Sequence, residues 1–115
     1  MAEAERPPSP WLVDHGERLR QAASRGPVLD VACGRGRHSL AALQLGAHVV
    51  AIDRDAEALA ALRRRAKPWH ERLLTVRADL ESGLGIPVRA GSCGAILVFR
   101  FLFRPLVPAL VEALA

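Results

Sequence analysis

Four short runs of nearly continuous apolar residues recur along the chain, and between them apolar positions fall at helical spacing. Val28-Leu29-Asp30-Val31-Ala32, Ala47 to Ile52 (followed by Asp53), Leu73 to Ala78 and Ala95 to Phe99 read as strands. The first and last of these lack polar alternation, as strands buried on both faces do. Leu40, Ala41, Ala42 and Leu43 place a helix over Arg37 to Leu45, with Gly46 as the residue just past its end. Ala58, Leu59, Leu62 and Ala66 line one face of a helix over Asp55 to Ala66, which Pro68 stops. Its acids Asp55 and Glu57 sit in the first turn and Arg63, Arg64 and Arg65 in the last, both favourable to the helix dipole. A leading helix is expected over Trp11 to Ala23, closed near Gly26, and a last one over Pro108 to Leu114 with proline near its first turn. Strands alternating with helices imply an α/β domain with a parallel sheet, flanking helices and right-handed crossovers.

Composition narrows the classes. The 115 residues suffice for one domain. With 50% apolar and 24% charged residues the balance is that of a folded globular chain. Residues 1–9, MAEAERPPS, are polar and proline-bearing and read as a flexible lead-in ahead of a domain over residues 10–115. They show no signal-peptide pattern. Cys33 and Cys93 are too few for a disulfide scaffold or a paired-thiol zinc site, so no metal site is expected, and lone thiols fit a reducing cytoplasm. The net charge of +4 comes from fifteen Arg and one Lys. These are scattered except for Arg63–Arg65 and Lys67 at a helix end, and the three Phe do not interleave with basic residues on a readable surface, so the pattern does not favour a nucleic-acid partner. Gly91 to Ala115 is very apolar, but Arg100, Arg104, Glu112, Pro105 and Pro108 argue against a membrane-spanning helix there.

One constellation carries chemistry. The first strand runs into Asp30-x-Ala32-x-Gly34-x-Gly36 and then a helix. Gly34 and Gly36 are expected to let backbone approach a ligand closely, since no Cβ stands in the way. The helix that follows directs N–H groups over the turn. Ligands of open parallel sheets bind outside the carboxyl ends of the strands, where this turn lies. Asp53 ends the second strand, seventeen residues after Gly36. A carboxylate there can accept both hydroxyls of a ribose; the plain alternative is that it caps the next helix. Asp79 follows the third strand, where a group can read an adenine edge or serve as an ordinary loop residue.

VLDVACGRGRHSLAA, AIDRDAEAL, VRADLE and GAILVFRFLFRPLVPAL, in that order, resemble the Rossmann-like class I S-adenosylmethionine-dependent methyltransferases, in the small bacterial branch that includes tellurite-resistance-type enzymes. The resemblance runs from about Ser9 to Ala115. It implies a sheet in the order 3-2-1-4, S-adenosyl-L-methionine as cofactor and a small-molecule methyl acceptor. It also implies roles. The first motif, with Asp30, Ala32, Cys33, Gly34 and Gly36, cradles the methionine part, and Asp30 helps hold its amino group. Asp53, with Arg54 beside it, binds the ribose. Asp79 and Leu80 contact adenine, and Phe99 and Arg100 line the cofactor and face the acceptor. No residue stands out as a catalytic base; His38 and Cys33 are as well explained by turn lining and packing.

Two departures from the family pattern matter. Ala32 replaces the usual first glycine of the turn. The family's sheet has seven strands and four are evident here, so the chain reads as the N-terminal, cofactor-binding part of the fold, cut short after the fourth strand. The apolar fourth strand and last helix are then expected to self-associate, and a non-catalytic cofactor-binding or interaction module becomes an alternative to an active enzyme. A nicotinamide-dependent oxidoreductase is a further alternative, opposed by Ser39 at the third glycine of the dinucleotide fingerprint.

Overall fold

The four apolar runs form one sheet. The computed structural model describes residues 6–101 and 103–115, so most of the lead-in falls outside the described residues. Strands β1 (Val28–Val31), β2 (Val49–Asp53), β3 (Leu73–Arg77) and β4 (Ala95–Val98) pair in the order β3-β2-β1-β4. All three pairings are parallel. Val31 lies opposite Ile52 and Val98, and Asp53 opposite Arg77, so the carboxyl ends share one edge of the sheet. Every residue of the central strand β1 is buried, which explains why the run is apolar apart from Asp30. Alternation then splits its side chains between two layers: Val28 joins a core with Leu40, Leu43, Leu62 and Leu97, while Leu29 and Val31 join one with Ile52, Leu80 and Leu106.

Helices α3 (Arg37–Gln44) and α4 (Ala56–Arg65) follow β1 and β2. Asp55 caps α4, its Oδ1 accepting from the N–H groups of Glu57 (2.9 Å) and Ala58 (3.3 Å). The leading helix departs from expectation: it is two pieces, α1 (Pro10–Asp14) and α2 (Gly16–Ala22). His15 bends the chain between them at φ −105° and ψ 17°, its N–H shared by the carbonyls of Trp11 and Leu12. Gly16 follows at once, a poor helix former where a continuous helix would need support. The last helix, α5 (Val107–Ala113), starts one residue earlier than expected and is led in by a 3₁₀ turn over Arg104–Leu106.

The second layer is the thinner one. Leu106 is buried and Leu110 packs against the core, but Val107, Val111 and Leu114 stay 47%, 63% and 43% exposed. Just ahead of β4, Cys93 forms a parallel bridge with Leu114, in which the Cys93 N–H donates to Ala113 O (2.9 Å) and the Ala115 N–H to Cys93 O (2.8 Å). Among the described residues no helix is long and apolar enough to cross a membrane.

Candidate cofactor site

Between β1 and α3 the chain turns through Ala32-Cys33-Gly34-Arg35-Gly36, with φ of 54° at Ala32, 57° at Gly34 and 88° at Gly36. The turn is tied down by the Cys33 N–H donating to Ile52 O (2.9 Å) and the Gly36 N–H to Cys33 O (3.0 Å). The two glycines have different work. A Cβ at Gly34 would meet nothing within 4 Å, so bare backbone faces open space there. A Cβ at Gly36 would overlap the side chain of Leu62, which is fully buried on α4. Gly36 therefore has a packing reason of its own against α4, beside its place on the wall of the cleft.

Asp53 is held from two sides. Its Oδ2 accepts from the Gly34 N–H (2.8 Å) and its Oδ1 from the Asp55 N–H (2.9 Å), which leaves each oxygen a further lone pair. The side-chain cap of α4 is Asp55, so Asp53 is free of that duty. Asp53 lines a cavity of ≈ 190 Å³ together with Ala32, Arg54, Asp79, Leu80 and Phe101. Leu80 is buried, and the exposed Asp79 turns its Oδ1 onto the Glu81 N–H (2.9 Å). A second cavity of ≈ 170 Å³ is walled by Asp30, Ala32, Cys33, Gly34, Gly36, Phe99 and Arg100, with Arg35, Arg37 and His38 beside them. Ala32 borders both, so the two cavities adjoin. All eleven candidate residues therefore lie on the walls of one bipartite cleft at the carboxyl edge of the sheet.

Burial sets the charges. Asp30 is 2% exposed and its Oδ2 accepts from Ser39 Oγ at 2.6 Å. Loss of solvent pushes its carboxyl up to about 6; the Ser39 hydrogen bonds act against this and the Asp53 charge with it. The Cys33 thiol is driven well above the ordinary range by burial, then by the charges of Asp30 and Asp53, so it stays protonated and no nucleophile. Ser39, Phe101 and the stacking of His38 on Phe99 (ring centroids 3.9 Å apart, planes at 17°) were not readable as site features. Nothing in local spacing marks them, since each depends on elements brought together only in the fold.

A parallel sheet in this order, with a glycine turn after its first strand and acids at the ends of the next two, defines a Rossmann-like, class I S-adenosylmethionine-dependent methyltransferase domain. Residues 28–115 match the family model described as "Methyltransferase domain", and the chain belongs to that family. Ribosomal RNA small subunit methyltransferase H of Anaeromyxobacter sp. (strain Fw109-5) is 37% identical over 78 residues, which cover 68% of this chain and 25% of the relative. The glycopeptide N-methyltransferase MtfA, solved in complex with S-adenosyl-L-methionine, is 33% identical over 65% of this chain and 33% of its own, with a TM-score of 0.50. The MccD protein shares the fold at 20% identity and a TM-score of 0.70, over 90% of this chain and 46% of its own. The chain thus spans a quarter of the curated relative and less than half of these two structures. The family uses S-adenosylmethionine.

Proposed function

We propose that the chain binds S-adenosyl-L-methionine across the carboxyl ends of β1, β2 and β3 and serves methyl transfer to a small-molecule acceptor. The carrying observation is Asp53: a carboxylate pinned by two backbone N–H groups beside the open face of Gly34, with lone pairs left for the two ribose hydroxyls. The residues fit the cofactor along its length. Leu80 and Phe101 offer apolar surface for adenine next to Asp79. Asp30 offers a buried negative charge for the methionine ammonium, and Phe99 and Arg100 lie toward the acceptor. Bound there, the cofactor supplies an electrophilic sulfonium methyl group. The chain's own part is alignment and exclusion of water, which suffices for in-line displacement when the acceptor is held correctly. Burial disfavours the Cys33 thiolate, so Cys33 is assigned no chemical step.

A small acceptor is supported by the glycopeptide enzyme among the similar structures. The ribosomal RNA enzyme argues little the other way, because the match spans only 25% of that enzyme and runs through the cofactor motifs. Two free thiols fit a reducing compartment such as the cytoplasm. Isothermal titration with S-adenosylhomocysteine tests the site: Asp53→Ala should weaken binding roughly tenfold or more, since hydrogen bonds to a charged group contribute about 1.5–3 kcal/mol. Unchanged affinity removes Asp53 from the site.

The exposed Val98, Val107, Val111 and Leu114 favour a second reading, in which the chain binds cofactor but transfers no methyl group and packs through β4 and α5 against a second copy of itself. Light scattering and a radiolabelled methyl-transfer assay separate the two: a monodisperse monomer with robust turnover excludes the second reading.

A further inference from the structure

His38 has no part in the cofactor contacts proposed above, yet it is among the most constrained side chains of the cleft. It is 5% exposed and lies face to face with Phe99. Its Nε2 accepts a hydrogen bond from the backbone N–H of Ser9 at 3.1 Å. That direction sets the tautomer: Nε2 carries the lone pair, and the proton of the neutral ring sits on Nδ1. Ser9 in turn caps α1, its Oγ accepting from the Trp11 N–H at 3.3 Å. Trp11 presents its ring to Phe99 edge to face, with centroids 6.4 Å apart and planes at 65°. Phe99 is therefore held by the His38 stack and by a T-shaped contact with Trp11, and both supports meet at Ser9. A second tie, from Arg37 Nη1 to Pro7 O (3.2 Å), fastens the same stretch to α3.

We infer that His38 is a positioning residue: through its ring stack and through Ser9 it fixes Phe99 as a rigid wall of the cavity at the methionine end of the cofactor site. The inference rests on the cofactor reading above. Phe99 and His38 both line that cavity, and neither borders the cavity beside Asp53. Burial, then the nearby charges of Arg37 and Arg100, holds the His38 imidazole down to about 4, so the lone pair offered to Ser9 persists at neutral pH. A histidine suits the place because one ring both stacks and accepts. Phenylalanine could only stack, and glutamine could only accept.

The test compares two probes on the full chain: S-adenosylhomocysteine, and methylthioadenosine, which lacks the amino-acid end. His38→Ala should bind S-adenosylhomocysteine about tenfold more weakly, with methylthioadenosine affinity held within about twofold, since one hydrogen bond and one ring stack are lost. His38→Phe and His38→Gln should fall between His38→Ala and the wild type. Nitrogen-15 spectra of the wild type should show an unprotonated Nε2, and the Ser9 amide should exchange slowly in the wild type and His38→Gln but fast in His38→Phe. Parallel weakening of both probes, unchanged affinity in His38→Ala, or a protonated Nε2 overturns the inference. Failure of the wild type to bind either probe would instead sink the cofactor reading, while the Ser9 and His38 spectra would still decide whether the tie exists.

Discussion

The two halves of the cleft are built in different ways. The half beside Asp53 is made mainly of strand ends and the residues that directly follow them, Ala32 after β1, Asp53 and Arg54 at β2, Asp79 and Leu80 after β3, with Phe101 from beyond β4 as the exception. Its polar contacts are backbone N–H groups meeting carboxylates, two of them within a turn and one, from Gly34 to Asp53, between neighbouring strand ends. The other half depends on side chains far apart in the chain, with His38 and Arg37 reaching back to Ser9 and Pro7 and forward to Phe99. Parallel strands place the first set on one edge automatically. The second set requires the leading segment, α3 and the end of β4 to pack together first. The side of Asp53 is a product of topology, and the side of Phe99 a product of packing.

Substitutions in the turn joining the two halves can break that distinction, and the largest effect is expected at Gly36. Gly36→Val must displace buried Leu62 and hold a branched residue at φ 88°, so it should cost about 3 kcal/mol of stability in urea unfolding. Gly34→Ala meets open space and should cost only about 1 kcal/mol for its left-handed backbone, yet weaken S-adenosylhomocysteine binding. A Gly34→Ala protein that binds like the wild type would show that no ligand comes close to that backbone.

Asp30 comes next, and its effects on stability and binding should have opposite signs. Burial raises its folded-state carboxyl from the ordinary 3.8 to about 6, so the folded protein holds this proton more tightly than the unfolded chain. Its contribution to stability is therefore fully present below about 4 and is lost as pH rises through about 6. Asp30→Asn keeps an acceptor for Ser39 and removes the buried charge. At pH 8 it should be more stable than the wild type by about 1–3 kcal/mol, with the difference vanishing near pH 4. Its affinity for S-adenosylhomocysteine should fall, and wild-type affinity should itself decline below about pH 6 as Asp30 is protonated. Unfolding curves that stay parallel across that range would show that Asp30 does not carry this proton.

The smallest effect belongs to Ala32. An alanine at φ 54° bears the left-handed cost that glycine avoids, so Ala32→Gly should raise stability by about 0.5–1 kcal/mol and leave cofactor affinity unchanged. A loss of stability there would mean that the methyl group, packed against the layer of Leu29 and Val31, outweighs the backbone strain.

Much of this architecture was legible from residue order. The four strands, the helices α3 and α4 and the positions of Asp30, Asp53 and Asp79 follow from apolar runs, turn glycines and acids at strand ends, all of them local signals. The break at His15 was not legible, because Leu12 and Leu19 are buried on both sides of it as in one helix. What bends the chain is a bifurcated backbone hydrogen bond that no side-chain pattern announces. Phe101 was missed for a related reason: it lies next to Arg100, whose φ of 56° turns the chain out of the strand conformation and spoils any count along the strand.

Residue order alone therefore settled the class of fold and the acidic side of the cleft, because short apolar runs alternating with helical patterning, together with parallel connectivity, leave few arrangements open. The reason for Gly36, the raised carboxyl of Asp30 and the ring wall around Phe99 were settled only by three-dimensional packing. Each depends on what surrounds it in the fold: Leu62 on a neighbouring helix, the loss of solvent around Asp30, and Ser9 with His38 at a separation of 29 residues. Steric overlap, desolvation and ring stacking fall off within a few ångströms, and distance along the chain does not measure them.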